Sequence, residues 1–221
     1  ATLPLYQPAP SGGWRSMVTP LSNTDKTSLV STAKKYKDFP LLNTPHAFLG
    51  TLQDAVTVAL LIAITGQASA GFWGLALRYL KAPATLVGGA VSQAMYPRLT
   101  GAQPDQARHV VRQTMLILGG LALALMLVLM LVGPWLFVVL FGPQWQEAGE
   151  LARALSPYIA VHFVAAPMAY VTMAWHAQRW AFKIAVVGQV VFVSTLCAGL
   201  YWGGLIAGAW AVSAGMVLYF G

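Results

Sequence analysis

The sequence predicts an all-α, polytopic membrane bundle of about six transmembrane helices, and three observations carry that prediction. Of 221 residues, 57% are hydrophobic and only 9% charged, with a mean hydropathy of +0.64. A soluble domain carries about 25% charged residues, so this chain lacks the charge to coat a water-facing surface. The apolar residues fall into long runs, and about 20 such residues cross the roughly 30 Å hydrocarbon core. Those runs lack the period-2 alternation of a β-barrel, which leaves helices as the spanning element. The single cysteine, Cys197, sits in an apolar run, so no disulfide framework or cysteine metal cluster is expected.

Residues 1–42 read as a cytoplasmic linker or the remnant of an N-terminal part, and residues 43–221 as the six-helix bundle. Pro4, Pro8, Pro10, Gly12 and Gly13 prevent a continuous helix at the start. Ser22 to Asp38 is polar, with Lys26, Lys34, Lys35 and Lys37, and has room for a short helix that Phe39-Pro40 would end. The first span is expected at about Thr44 to Ile64, with a turn at Gly66-Gln67-Ala68-Ser69, and the second at about Ala70 to Tyr96, kinked by Pro83. A polar stretch from Arg98 to Arg112 precedes the third span, Gln113 to Val132. Gly133-Pro134 is expected to break that span, leaving Trp135 to Phe141 as a short extension. After polar Gly142 to Glu150 come the fourth span at Leu151 to Trp175, kinked by Pro167, the fifth at Trp180 to Trp202, and the sixth at Leu205 to Gly221. The pairs Gly199/Gly203 and Gly204/Gly208 have the small-xxx-small spacing of close helix packing. The chain begins without an initiator Met and the sixth span ends with no polar flank, so the sequence reads as cut from a longer one.

The net charge of +7 suggests nucleic acid until the positions of the charges are examined. Ten of the thirteen basic residues fall on one side of the spans: Arg15 and the four linker lysines, then Arg98, Arg108, Arg112, Arg179 and Lys183. The opposite loops hold Arg153, offset by Glu147 and Glu150. By the positive-inside rule the basic side is cytoplasmic, so both ends of the six-span unit are expected inside. The charge is then topological, and no nucleic-acid partner is expected. Trp135, Trp145 and Trp202 would lie near the outer boundary, Trp175 and Trp180 near the inner one.

Charge inside a span is costly and tends to mark a pathway. Asp54 in span one lies roughly 15 Å from its outer end, while Arg78 and Lys81 in span two lie roughly 12 and 16 Å from theirs, at 1.5 Å per residue. The three are therefore expected at one depth on adjacent antiparallel helices, sharing a salt bridge or a cavity. Arg78 and Lys81, three residues apart, share a helix face. As a cationic patch they would bind a phosphate-bearing substrate, because the guanidinium fork donates two parallel hydrogen bonds. Asp54 would balance that patch or bind a proton or Na⁺. The plainer alternative is an Asp–Arg pair that only fixes helix packing. His46, His109 and His176 fall near the inner ends of spans and His162 within span four; interfacial solvation accounts for them better than a metal site.

Four segments, in order, resemble one family. Lys35-Tyr-Lys-Asp-Phe-Pro-Leu-Leu-Asn-Thr-Pro45 is similar to the "KYxxFPLxxTP" approach to the seventh helix of bacterial oligosaccharide and lipopolysaccharide flippases. Ala70-Gly-Phe-Trp-Gly-Leu-Ala-Leu-Arg78 resembles their "xGxYxLAxR" start of helix eight, and Gly88 to Pro97 their "GxAxSQxxxP". Phe141-Gly-Pro-Gln-Trp-Gln-Glu-Ala148 looks like the "FGxxWxxA" loop after helix nine. The family lies within the multidrug/oligosaccharidyl-lipid/polysaccharide exporter superfamily. The resemblance implies one half, helices seven to twelve, of a twelve-helix exporter whose two halves face a central cavity. It further implies alternating-access export of undecaprenyl-pyrophosphate-linked sugars across the inner membrane. Arg78, at the "LAxR" position, and Lys81 would contribute to the cationic cavity. The expected partners are lipid-linked oligosaccharide, membrane lipids, and a first half or a second copy; no cofactor, metal or catalytic residue is expected. A membrane enzyme of envelope polysaccharide assembly would need catalytic groups in a large external loop, and Gly142 to Glu150 is short. A multidrug exporter half of the same superfamily is the remaining alternative, against which the first and last motifs weigh.

Overall fold

A computed structural model describes residue 31 and residues 38–100, 103–174 and 178–220. Of the expected linker over residues 1–42, residues 1–30 and 32–37, with its lysines, lie outside the described residues and 38–42 belong to a helix; Trp175, His176 and the side chains of His46, Arg98 and Arg179 also lie outside the described residues. Every described element is helical: α1 Asp38–Thr65, α2 Gln67–Thr100, α3 Pro104–Phe141, a 3-10 turn Pro143–Trp145, α4 Gln146–Ala174 and α5 Gln178–Phe220. Residues Leu42–Gly221 form one compact unit.

By length and composition three of these helices are long and apolar enough to cross a membrane, over Phe48–Thr65, Asp105–Phe141 and Trp180–Phe220. The last contains two helices, because Gly204 at φ 73°, ψ −158° lies outside helical geometry. That backbone region belongs to glycine. Beyond it the chain doubles back. A Cβ added at Gly199 would stand 2.6 Å from the Gly208 Cα, and Tyr219 Oη donates to the Ile184 carbonyl at 2.6 Å. Residues nine apart in a straight helix would be about 13 Å apart, so α5 is a helical hairpin with arms 178–203 and 205–220. Fifth and sixth spans thus meet where expected. Of the four spaced glycines, Gly199 and Gly208 bring the arms together while Gly204 makes the turn.

The helices outrun the apolar spans. The first helix is under way by Asp38, ahead of the span expected from Thr44, and Pro40 lies near the helix start, where a missing N–H costs little. Most of the expected polar stretch 98–112 is also helical: α2 runs on to Thr100, and α3 opens with Pro104 and Asp105, a first-turn proline and a carboxylate favoured at a helix N-terminus. An apolar run marks the thickness of the lipid, whereas backbone hydrogen bonding continues until a cap stops it.

The expected break at Gly133-Pro134 is corrected: α3 continues through Pro134 to Phe141. Pro134 has no N–H for the Met130 carbonyl four residues earlier. Arg153 of α4 supplies the missing donor, its Nε lying 2.9 Å from that oxygen, while its Nη1 meets Glu150 at 3.2 Å. Pro157 in α4 orphans the Arg153 carbonyl in the same way, and Ser156 Oγ donates to it at 2.8 Å. Side chains here re-satisfy the carbonyls that prolines release, which is how such helices survive without water. Gly133 and Gly149 let the two helices touch, since a Cβ at Gly149 would lie 2.5 Å from the Pro134 Cα.

Helix α4 is the centre of the bundle, packed against α2, α3 and α5. Its Leu151, Ala152, Ala154, Leu155 and Ile159 are buried with Trp73, Leu80, Phe137, Phe192, Leu196 and Val212. Ser213 Oγ ties the hairpin to the Ala154 carbonyl at 2.6 Å. The outside is the reverse of a soluble protein's. Ile117, Leu131, Tyr201, Trp202 and Leu218 are all more than 70% exposed. So many exposed large apolar side chains on long apolar helices fit lipid and not water, which marks this as a membrane protein.

Candidate functional site

Helix α1 leans on the bundle with one stripe, Asp54, Thr57, Val58 and Leu61, at the i, i+3, i+4, i+7 spacing of a helix face. Leu61 is wholly buried in the core and anchors the stripe. Opposite it, α2 presents Trp73, Gly74, Leu77, Arg78 and Lys81, again one face. The two faces diverge from the Gly66 turn, and with Phe192 of α5 they enclose a cleft of ≈ 260 Å³. Gly74 adds no bulk to its wall, and nothing lies within 4 Å of where its Cβ would be.

The three charged residues expected at one depth all line this cleft. Lys81 Nζ lies 3.9 Å from Asp54 Oδ1, with side chains 32% and 64% exposed. That distance is the outer limit of an ion pair, and a pair so exposed contributes little stability. Arg78 is exposed on the same cleft and, among the described residues, has no ion pair. The Asp–Arg packing pair is therefore not what forms: Asp54 takes Lys81 and leaves the guanidinium free. A free guanidinium beside an ammonium can bind a phosphate dianion through the geometry that suits it.

Six of the cleft's nine lining residues were not singled out as site residues by the sequence, and three of them matter to its chemistry. Thr57 is signalled only by helical register, three residues after Asp54, while Trp73, five before Arg78, lies in a family-like segment without having been given a role. Phe192 arrives from another helix, and no local pattern announces it. His162 is not among the residues that line the cleft; its ring is tilted against that of Tyr158, with centroids 5.7 Å apart. Among the described residues, no three His, Cys, Asp or Glu side chains gather as a metal site would require.

Compared with known families, the chain matches the model described as polysaccharide biosynthesis protein over residues 26–150, more than half of its length. That match takes in all of α1, α2 and α3, and with them the charged residues of the cleft. A search of curated proteins and of solved structures returned no match.

Proposed function

The chain belongs to the polysaccharide biosynthesis protein family, and from that premise we propose that it exports a lipid-linked oligosaccharide, carried on undecaprenyl pyrophosphate, from the cytoplasmic to the periplasmic leaflet of the inner membrane. The observation that carries the reading is Arg78, an arginine of α2 that lines a cleft and, among the described residues, has no ion pair while Asp54 engages Lys81. Intramembrane charge without a structural partner is costly, and a transported anion accounts for its presence. Arg78 and Lys81 bind the pyrophosphate; Asp54 holds Lys81 when the cleft is empty and is the group that a coupling proton or Na⁺ would meet. The protein moves its substrate without breaking a bond, so no catalytic residue is assigned.

In this reading the basic residues outside the spans keep both ends of the bundle in the cytoplasm. The cleft opens toward a second wall, supplied by a preceding six-helix half or by another copy of the chain. Alternating exposure of the cleft to the two leaflets then carries the sugar across.

The test is translocation of a labelled lipid-linked sugar in proteoliposomes, comparing wild type with Arg78→Ala. Loss of one or two charge-assisted hydrogen bonds lowers binding about tenfold or more, and export falls accordingly. Export at the wild-type rate would reduce Arg78 to a packing residue.

A further inference from the structure

Two residues of the cleft wall carry buried polar atoms that the phosphate reading leaves unused. Thr57 is 3% exposed and Trp73 2%, both line the cleft, and neither Thr57 Oγ1 nor Trp73 Nε1 has a hydrogen-bond partner. Buried donors are almost always partnered. Thr57 is also unusual within this fold. Thr65, Thr114 and Thr195 each turn the hydroxyl back onto the carbonyl four residues earlier, the ordinary solution for a threonine in a helix. Thr57 does not, although the carbonyl of Gln53 stands in the same register.

Their position along the helices is informative. Thr57 lies one turn, about 4.5 Å, from Asp54 toward the Gly66 turn, and Trp73 about 7.5 Å from Arg78 in that same direction. The two orphaned donors therefore share a level, deeper between the helices than the charged trio and displaced from it by about the reach of one sugar ring. The remaining lining of the cleft is apolar, with Val58, Leu77 and Phe192. A buried charge there would find no counter-charge, whereas an uncharged oxygen would satisfy an indole N–H that can only donate and a hydroxyl that can donate or accept.

We infer that Thr57 and Trp73 recognise an uncharged oxygen, hydroxyl or amide carbonyl, of the sugar bonded to the phosphate that Arg78 and Lys81 hold. The cleft is then divided: charge at its exposed end for the diphosphate, neutral donors at its buried end for the first sugar. This assignment rests on the phosphate reading of Arg78, and it makes Thr57 and Trp73 the residues that distinguish a glycosylated carrier from a bare one.

The experiment measures binding of two probes to the purified chain in detergent: geranyl diphosphate, and geranyl diphosphate bearing N-acetylglucosamine on its terminal phosphate. Wild type binds the sugar-bearing probe at least about fivefold more tightly, the worth of one or two neutral hydrogen bonds. Thr57→Val, which keeps shape and removes the hydroxyl, and Trp73→Phe, which removes the N–H, each lose most of that preference and leave affinity for the bare diphosphate unchanged. Should Trp73→Phe not fold, Thr57→Val decides alone. Equal affinity of wild type for both probes, or an equal loss on both in Thr57→Val, overturns the sugar assignment while the phosphate reading stands. Binding of neither probe, or binding of both that ignores Arg78→Ala, overturns the phosphate reading and this assignment together.

Discussion

At the contact between α3 and α4 the polar groups answer one another; in the cleft between α1, α2 and α5 they do not. Arg153 is engaged on two sides, by the carbonyl that Pro134 releases and by Glu150. Ser156 closes the carbonyl that Pro157 releases. Among the described residues Arg78 has no such partner, Lys81 reaches Asp54 only at 3.9 Å, and Thr57 and Trp73 keep unpartnered donors. Both regions lie in one bundle of one composition, so the difference is not one of polarity. It is one of completion. A network complete within the chain stabilises the fold, and one left incomplete is shaped for something outside the chain.

Removing Arg153 should sharpen this contrast most. Arg153→Ala leaves the Met130 carbonyl without a donor, and a hydrogen bond from a charged group contributes roughly 1.5–3 kcal/mol. Thermal unfolding in detergent should register a loss of about 2 kcal/mol. The diagnostic variant is Arg153→Ala combined with Pro134→Ala, which returns a backbone N–H to the same carbonyl. The double variant should recover at least half of the lost stability. If the two variants unfold alike, Arg153 does not compensate for the proline. Arg78→Ala, by contrast, should cost export and leave unfolding within about 0.5 kcal/mol of wild type, as for a side chain without partners.

Ser156→Ala is the smaller member of the same class. The serine is buried, and its hydroxyl caps the Arg153 carbonyl at 2.8 Å. A neutral hydrogen bond contributes about 1 kcal/mol net, so unfolding should shift by about that much. A shift no larger than that of Ser194→Ala, whose serine is exposed on α5, would mean that the freed carbonyl finds another donor.

The sequence made much of this legible because lipid imposes a simple rule. Apolar runs of about 20 residues have few alternatives, so the all-helical fold and the turn at Gly203-Gly204 could be read directly. Pro134 misled for a physical reason: proline breaks a helix when its orphaned carbonyl stays orphaned, and Arg153 rescues that of Met130 from twenty-three residues further along the chain. Nothing local encodes that rescue. The cleft divides in the same way. Asp54, Arg78 and Lys81 stand out because charge is rare in a span, and antiparallel geometry put them at one depth. Thr57 and Trp73 are ordinary residues of membrane helices, and only the absence of a partner for their polar atoms distinguishes them. Phe192 comes from a helix more than a hundred residues away, beyond any periodicity.

The smallest effect expected on stability is that of Asp54→Asn. Were the Asp54–Lys81 pair a structural bridge like that of Arg153, its loss would cost as much. The distance of 3.9 Å and the 64% exposure of the carboxylate argue otherwise, since exposed pairs contribute about 0–1 kcal/mol. Unfolding of Asp54→Asn should therefore stay within about 1 kcal/mol of wild type. Its effect on the cleft has a definite sign. Removing the carboxylate frees Lys81 and leaves the cationic pair unopposed, so the bare diphosphate probe should bind more tightly than to wild type. Weaker binding would mean that the carboxylate positions Lys81 for the phosphate instead of competing with it. A loss of several kcal/mol in stability would place the cleft in the same class as the α3–α4 contact and remove the distinction on which its assignment rests.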